Sequence, residues 1–188
     1  MKFISFKQNE QLKFGVISND KITDLTGKVS DSNSLKDLIS NQGIEEAKSY
    51  AKNNPGNINI SEIEYLPLIP NPGKIICVGL NYSEHVKETN RTVEENPVIF
   101  HRFPESQTAH LQPIQRPVVS KSLDFEGEMA VIMDEGGKHI KPEDALKHII
   151  GYSCYNESTV REWQRHTRQF GMGKNFEKTG SFGPHMVL

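Results

Sequence analysis

Two glutamates two residues apart carry the first chemical signal in this 188-residue chain. Glu126 and Glu128 lie in Leu-Asp-Phe-Glu-Gly-Glu-Met-Ala-Val-Ile, residues 123–132, where large apolar residues alternate with others and predict a β-strand. Side chains on a strand alternate between faces, so Phe125, Gly127, Met129 and Val131 share one face. Asp124, Glu126, Glu128, Ala130 and Ile132 share the other. Two carboxylates roughly 7 Å apart on one face repel unless something positive stands between them. A hard divalent cation held by oxygen ligands, Mg²⁺ or Mn²⁺, is one solution. A solvated strand face is the other.

Further candidates are scattered along the chain. Glu157 follows a predicted strand and can turn inward as a third oxygen ligand, or serve as an acid at a helix start. His85 and Glu88 are three residues apart in a segment of helical character, so they share a face. A carboxylate that fixes the tautomer of an imidazole makes a general base near neutral pH, although such pairs also decorate ordinary surfaces. Arg102 in F-H-R-F-P and Lys174 in G-K-N-F are cations in loop-like contexts. Either can bind a substrate carboxylate, Arg102 in bidentate fashion, or remain a surface charge.

The elements that must position these residues read as mostly β with short helices. Runs at 2–6, 12–17 and 22–25, separated by polar turns, predict a small meander of strands. Helical patches follow around 35–39 and 44–51, and the breaker Asn-Asn-Pro-Gly at 53–56 ends them. Ile-Pro-Asn-Pro-Gly at 69–73 is the next strong punctuation. It sets an expected boundary between a small N-terminal domain, 1–70, and a second domain, 71–188. In the second domain, 74–78 is a near-continuous apolar run and predicts a buried strand. Residues 97–100 and 152–156 predict further strands, and Pro142 suits the first turn of a helix through Ile150. Thr159 and Glu162 have the spacing of a capping box, which predicts a helix start. Met186, Val187 and Leu188 look like a strand with no partner left in sequence, so a truncated product is expected.

Composition narrows the functional classes. A formal net charge of −2 with no basic block argues against nucleic acid. No apolar run reaches the roughly 18 residues of a membrane span, and the N-terminus lacks the apolar core of a signal peptide. Cys77 and Cys154 sit in apolar segments, which suggests buried free thiols in a reducing cytoplasm.

Taken in order, K-I-I-C-V-G-L-N-Y-S-E-H-V-K-E, L-D-F-E-G-E-M-A-V-I, G-Y-S-C-Y-N-E-S-T-V-R-E-W-Q and G-K-N-F resemble the fumarylacetoacetate hydrolase family. The resemblance runs from about residue 74 to 184. It implies the family's mixed β-roll, incomplete at the C-terminus and preceded by a small β/α domain. It also implies Mg²⁺ or Mn²⁺, with Ca²⁺ as the alternative, a small oxo-acid or diketo-acid substrate, a homodimer and a cytoplasmic location. On the matching positions, Glu126, Glu128 and Glu157 are the implied metal ligands, with Glu157 where the family usually has aspartate. His85 and Glu88 match the pair that activates water, Gln164 and Lys174 match substrate-side positions, and Arg102 stands where many members have lysine. The implied activity is metal-dependent hydrolysis of a C–C bond beside a carbonyl. Hydratase, isomerase, decarboxylase or lyase chemistry on a 2-oxo acid, and a non-catalytic remnant, are the competing expectations.

Overall fold

The computed structural model describes residues 1–82 and 96–188. The chain starts with an antiparallel meander of β1 (Lys2–Gln8), β2 (Gln11–Ser18) and β3 (Lys21–Asp24). Two helices follow, α1 (Leu35–Ser40) and α2 (Ile44–Asn53). Ser34 caps α1 by accepting a hydrogen bond from the Asp37 amide. Leu35, Leu38 and Ile39 recur at helical spacing and are buried. These elements fall where the sequence predicts them. Short strands β4 (Ile58–Asn59) and β5 (Glu64–Tyr65) then pair with β3 and β1.

The rest of the chain contributes β6 (Ile75–Gly79), β7 (Val98–Arg102), β8 (Gln107–Thr108), β9 (Leu123–Asp124), β10 (Gly127–Met133) and β11 (Ile149–Glu157). β12 (Thr159–Val160), β13 (Gly180–Phe182) and β14 (Met186–Val187) complete the strands, with four-residue helices α3 (Arg161–Gln164) and α4 (Gly171–Lys174) between them. Among the described residues none of the helices is long and apolar enough to cross a membrane.

Strand order in the main sheet is β4-β3-β2-β1-β14-β11-β13-β8, with β10 added on β11 and β5 on β1. The expected lone strand at the C-terminus therefore has two partners. Phe3 pairs with Met186 and Lys2 with Val187, while Tyr152 pairs with Val187 from the other side. Local sequence could not reveal this, because one partner lies at the opposite end of the chain. The same pairing carries one sheet across the expected boundary between residues 70 and 71. The core crosses it too: Phe3, Phe14, Leu35 and Leu68 pack with Ile132, Tyr155, Phe182 and Met186. On the opposite face of β1, Ile4 and Phe6 pack with Ile22, so β1 is covered on both sides.

Four other local expectations change. Residues 123–132 form two strands rather than one, because Phe125 and Glu126 leave the regular ladder. β6 is half exposed: Ile75, Cys77 and Gly79 face inward, while Ile76 and Val78 are open to solvent. The capping box at Thr159 does not form, since Thr159 pairs with Asp124 in a strand and Glu162 accepts from Ser120 and the Lys121 amide. The helix predicted from Pro142 is a short 3₁₀ segment, Pro142–His148.

β14 is the seam between the two halves of the sheet, and Met186 is fully buried there. Met186→Ala should cost about 2–5 kcal/mol, the range for truncating a buried side chain of this size. Urea unfolding followed by fluorescence should show a lower midpoint with an unchanged slope. An unchanged midpoint would contradict a central β14.

Candidate active site

β10 and β11 bring the two central acids together. Gly127 pairs with Asn156, and the ladder extends one step further through a 2.8 Å bond from the Glu157 amide to the Glu126 carbonyl. Asn156 Oδ1 also accepts from the Glu126 amide at 3.1 Å. Glu126 and Glu157 are thus cross-strand neighbours, although 31 residues separate them in sequence. Glu157 is buried and Glu126 is partly exposed.

The cation between them is Lys174. Its Nζ lies 2.8 Å from Glu126 Oε2 and 2.5 Å from Glu157 Oε2, and the residue is 2% exposed. α4 delivers it, and two local features hold α4 in place. A Cβ on Gly173 would lie 2.5 Å from the Gln164 amide nitrogen, so only glycine lets α4 approach α3 this closely. Asn175 then clamps α4 to the end of β7, accepting from the Phe103 amide at 2.7 Å and donating to the His101 carbonyl at 3.0 Å. The Phe100 ring lies 5.0 Å from Nζ, within range of a cation–π contact.

Arg102 is not placed to grip a substrate. The sequence admits a surface cation or a substrate clamp, but β7 turns the side chain inward, where it is fully buried beneath the acids. Nη1 donates to Glu157 Oε1 at 2.8 Å and to the Ser158 carbonyl at 3.2 Å. Nη2 donates to Thr179 Oγ1 at 2.7 Å, and Nε to Ser106 Oγ at 3.2 Å. A Cβ on Gly180 would stand 2.9 Å from Nη2 and 2.3 Å from Tyr155 Oη, so glycine makes room for this packing. The guanidinium is spent on the protein itself.

Arg161, which the sequence reading passed over, continues the chain of charges. Its Nη1 lies 2.8 Å from Glu126 Oε1 and its Nη2 2.8 Å from Asp124 Oδ2. Thr159 Oγ1 also donates to Glu126 Oε1, at 2.7 Å. Charges therefore alternate: Arg102, Glu157, Lys174, Glu126, Arg161, Asp124. The available signal was Asp124 on the acidic strand face together with an arginine at the start of the next helix. Three acids on one face call for cations nearby.

Burial works against the charge on both central acids. For Glu126 the opposing contacts with Lys174, Thr159 and Arg161 win, and its carboxyl is held below the usual range. For Glu157, deeper in the protein, burial outweighs Lys174 and Arg102 and pushes the carboxyl up. Cys77, nearby on β6, is pushed up to about 12, first by burial and then by the charge of Glu157.

Glu128 stands apart. Its Oε2 accepts from Asn81 Nδ2 at 3.0 Å, and Tyr82 Oη donates to the Gly127 carbonyl at 3.0 Å. These contacts tie the end of β6 to the start of β10. The expected three-carboxylate cluster does not assemble as drawn from the sequence: among the described residues no three of His, Cys, Asp and Glu form a cation cage. The reason is strand geometry, since residues two apart share a face but sit roughly 7 Å apart. Two carboxylates do converge, on an ammonium. A cation already occupies the place between them, and the oxygens around it suit a hard metal ion.

The site opens into a cleft of about 2060 Å³, walled by β6 on one side and β10 on the other. Glu126, Glu157, Lys174, Arg161 and Gln164 line it, and Arg102 does not. Gln164 Oε1 accepts from Arg161 Nη1 at 3.1 Å. His85 and Glu88 lie outside the described residues. The inward face of β10 runs from Glu128 through Ala130 to buried Ile132, while Met129 on its other face and Phe125 ahead of the strand are exposed. Both cysteines are free, and Cys154 is exposed rather than buried.

Residues 74–188 match the family described as fumarylacetoacetate (FAA) hydrolase C-terminal. The chain is 37% identical over 146 residues to the oxaloacetate tautomerase fahd2, mitochondrial, of Xenopus laevis, covering 77% of this chain and 46% of that protein. To the corresponding Rattus norvegicus oxaloacetate tautomerase it is 38% identical over 128 residues, 68% of this chain and 41% of that one. The chain thus spans under half the length of these relatives. Among solved structures, a fumarylacetoacetate hydrolase from psychrophilic Exiguobacterium antarcticum superposes with a TM-score of 0.77 at 30% identity, covering all of this chain and 66% of that one. A maleylpyruvate hydrolase from Sphingobium, in complex with manganese(II) and pyruvate, gives 0.78 at 22% identity, covering all of this chain and 67% of that one. At that identity the likeness concerns the fold.

Two tests follow from the geometry. With burial and the charge of Glu157 pushing the Cys77 thiol up to about 12, its reactive thiolate is scarce at pH 8. Iodoacetamide should therefore alkylate exposed Cys154 well before Cys77, as peptide mass spectrometry can show; equal rates would contradict the placement of Cys77. Arg102→Met removes one of the two buried cations that face Glu157, leaving Lys174 alone, and should cost up to about 3–5 kcal/mol in urea unfolding.

Proposed function

We propose, on the footing that this chain belongs to the fumarylacetoacetate hydrolase family, that it catalyses keto–enol proton transfer on a small 2-oxo acid with the help of a divalent cation. The observation that carries this reading is the Lys174 ammonium bridging Glu126 and Glu157 at the floor of an open cleft. Enolisation needs an electrophilic place for the carbonyl oxygen and a group that moves a proton beside it. Carboxylates, a lysine and a cation meet both needs. Glu126 and Glu157, with Glu128 at the next position along β10, would hold Mg²⁺ or Mn²⁺. When bound, that ion supplies Lewis-acid stabilisation of enolate charge.

This chain's own residues would do the rest. Lys174 holds a proton within reach of whatever lies against Glu126 and Glu157. Arg161 and Arg102 would each hold one acid by the oxygen that does not face the ammonium. Gln164, on the cleft wall, would orient a substrate carboxylate or carbonyl. The names of the relatives support tautomerisation, and the manganese and pyruvate in the maleylpyruvate hydrolase support the choice of ion and substrate class.

Hydrolytic cleavage of a C–C bond in a 2,4-diketo acid is the second reading. It shares the enolate-stabilising floor and additionally needs a base for water. His85 with Glu88, the pair implied for that role, lies outside the described residues.

The reaction can be followed by NMR in D₂O with Mn²⁺ or Mg²⁺ present. Deuterium should enter the carbon beside the carbonyl of oxaloacetate, and Glu126→Gln should lower the rate at least a hundredfold. Release of pyruvate from a 2,4-diketo acid, with no exchange into oxaloacetate, would favour the hydrolase instead. Absence of both reactions in folded, metal-bound protein would overturn the proposal.

A further inference from the structure

All four oxygens of Glu126 and Glu157 already face a cation of the protein. Glu126 Oε1 faces Arg161 and its Oε2 faces Lys174; Glu157 Oε1 faces Arg102 and its Oε2 faces Lys174. A divalent ion placed between the two acids has to share that space with an ammonium 2.5–2.8 Å from each. Two cations at such separation repel strongly in a site screened from water. One of the three protein cations has to give way.

The three are not equally free to move. Arg102 is locked by Glu157, Ser158, Thr179 and Ser106 and has no exposed surface. Arg161 touches only Glu126 of the two, on the oxygen turned away from Lys174, and Asp124 holds it there through Nε and Nη2. Lys174 sits on the line between both acids, on a flexible stem, at the wall of the cleft. Its side chain has somewhere to go, because the residue lines the open cleft.

We infer that Lys174 is the resident cation of this site, and that a divalent ion binds by exchange, displacing the Lys174 ammonium into the cleft. The inference rests on the divalent-cation reading proposed above and adds a consequence specific to this chain. Lys174 is a competitor for the ion as well as a neighbour of it. Metal entry would turn an internal ion pair outward, and the ammonium would arrive where an anionic substrate must lie. Among the described residues the fourth acid, Glu128, faces no cation and accepts one bond, from the neutral Asn81 amide, which it can exchange to complete the ion's coordination.

Mn²⁺ alone is the probe, with affinity read by calorimetry or by the EPR signal of free Mn²⁺. Lys174→Met removes the competitor, and affinity should rise at least tenfold. Arg161→Met removes an equal charge from one side of Glu126 and should raise affinity clearly less. In wild-type protein, acetic anhydride labelling of Lys174, read by mass spectrometry, should increase several-fold at saturating Mn²⁺. If Lys174→Met does not fold, this labelling decides on its own. Unchanged or weaker binding by Lys174→Met, equal gains in both variants, or labelling indifferent to bound Mn²⁺ would each overturn the exchange while leaving the proposed function standing. Failure of every protein to bind Mn²⁺ would overturn both.

Discussion

A chain of alternating buried charges organises this molecule. An isolated carboxylate or ammonium taken out of water costs several kcal/mol even after relaxation, so none of these groups tolerates being left alone. Glu157 and Lys174 are almost fully enclosed and answer each other directly. Arg102 answers Glu157 from below, Glu126 answers Lys174 from the cleft side, and Arg161 with Asp124 carries the series to the surface. Because β7, β9, β11, α3 and α4 each supply a member, the series also fixes how those elements sit against one another. Replacing one charge leaves its partner exposed to the full desolvation cost. That makes the site rigid, and it makes the balance of charge, three acids against three bases, the quantity that any bound ion must disturb.

Much of the architecture was legible because it is local. The meander at the N-terminus, both longer helices and the strand before Glu157 follow from period-two and period-3.6 patterning with turn residues between them. What local pattern could not reach is pairing between distant ends. β14 has two residues and no signal of its own, yet it joins β1 to β11 and unites the sheet. The expectation of a C-terminal strand without a partner fails for that reason. The capping box at Thr159 failed differently: the spacing was right, but Asp124 offered a strand partner and Ser120 a better one for Glu162.

The site was legible to the extent that the sequence marked its acids. Glu126, Glu157 and Lys174 meet, and the sequence marks all three by residue type and motif. Glu128 was grouped with them on the correct argument that residues two apart share a face. A shared face is not a shared point, and Asn81 takes its carboxylate instead. The loop-like context of Arg102 in the sequence admits a substrate clamp or a surface charge. Strand alternation decides otherwise, since Phe100 and Arg102 both face inward on β7 while Ile99 and His101 face out. Applying the period-two rule through to Arg102 would have found it beneath the acids.

The length of Glu157 has a physical role in this arrangement. It ends β11 with one oxygen turned to Arg102 and the other to Lys174, on opposite sides of the carboxylate. A side chain anchored to the sheet has to reach far enough to stand between two cations that come from different elements. Glutamate has one methylene more than aspartate to make that reach, and a guanidinium below extends further than an ammonium would. The long acid and the long, planar base therefore fit one another, with Ser158, Thr179 and Ser106 taking the donors that Glu157 cannot use. With Oε1 pinned, Oε2 has a fixed direction toward the cleft, and the site needs one carboxylate oxygen whose position does not drift.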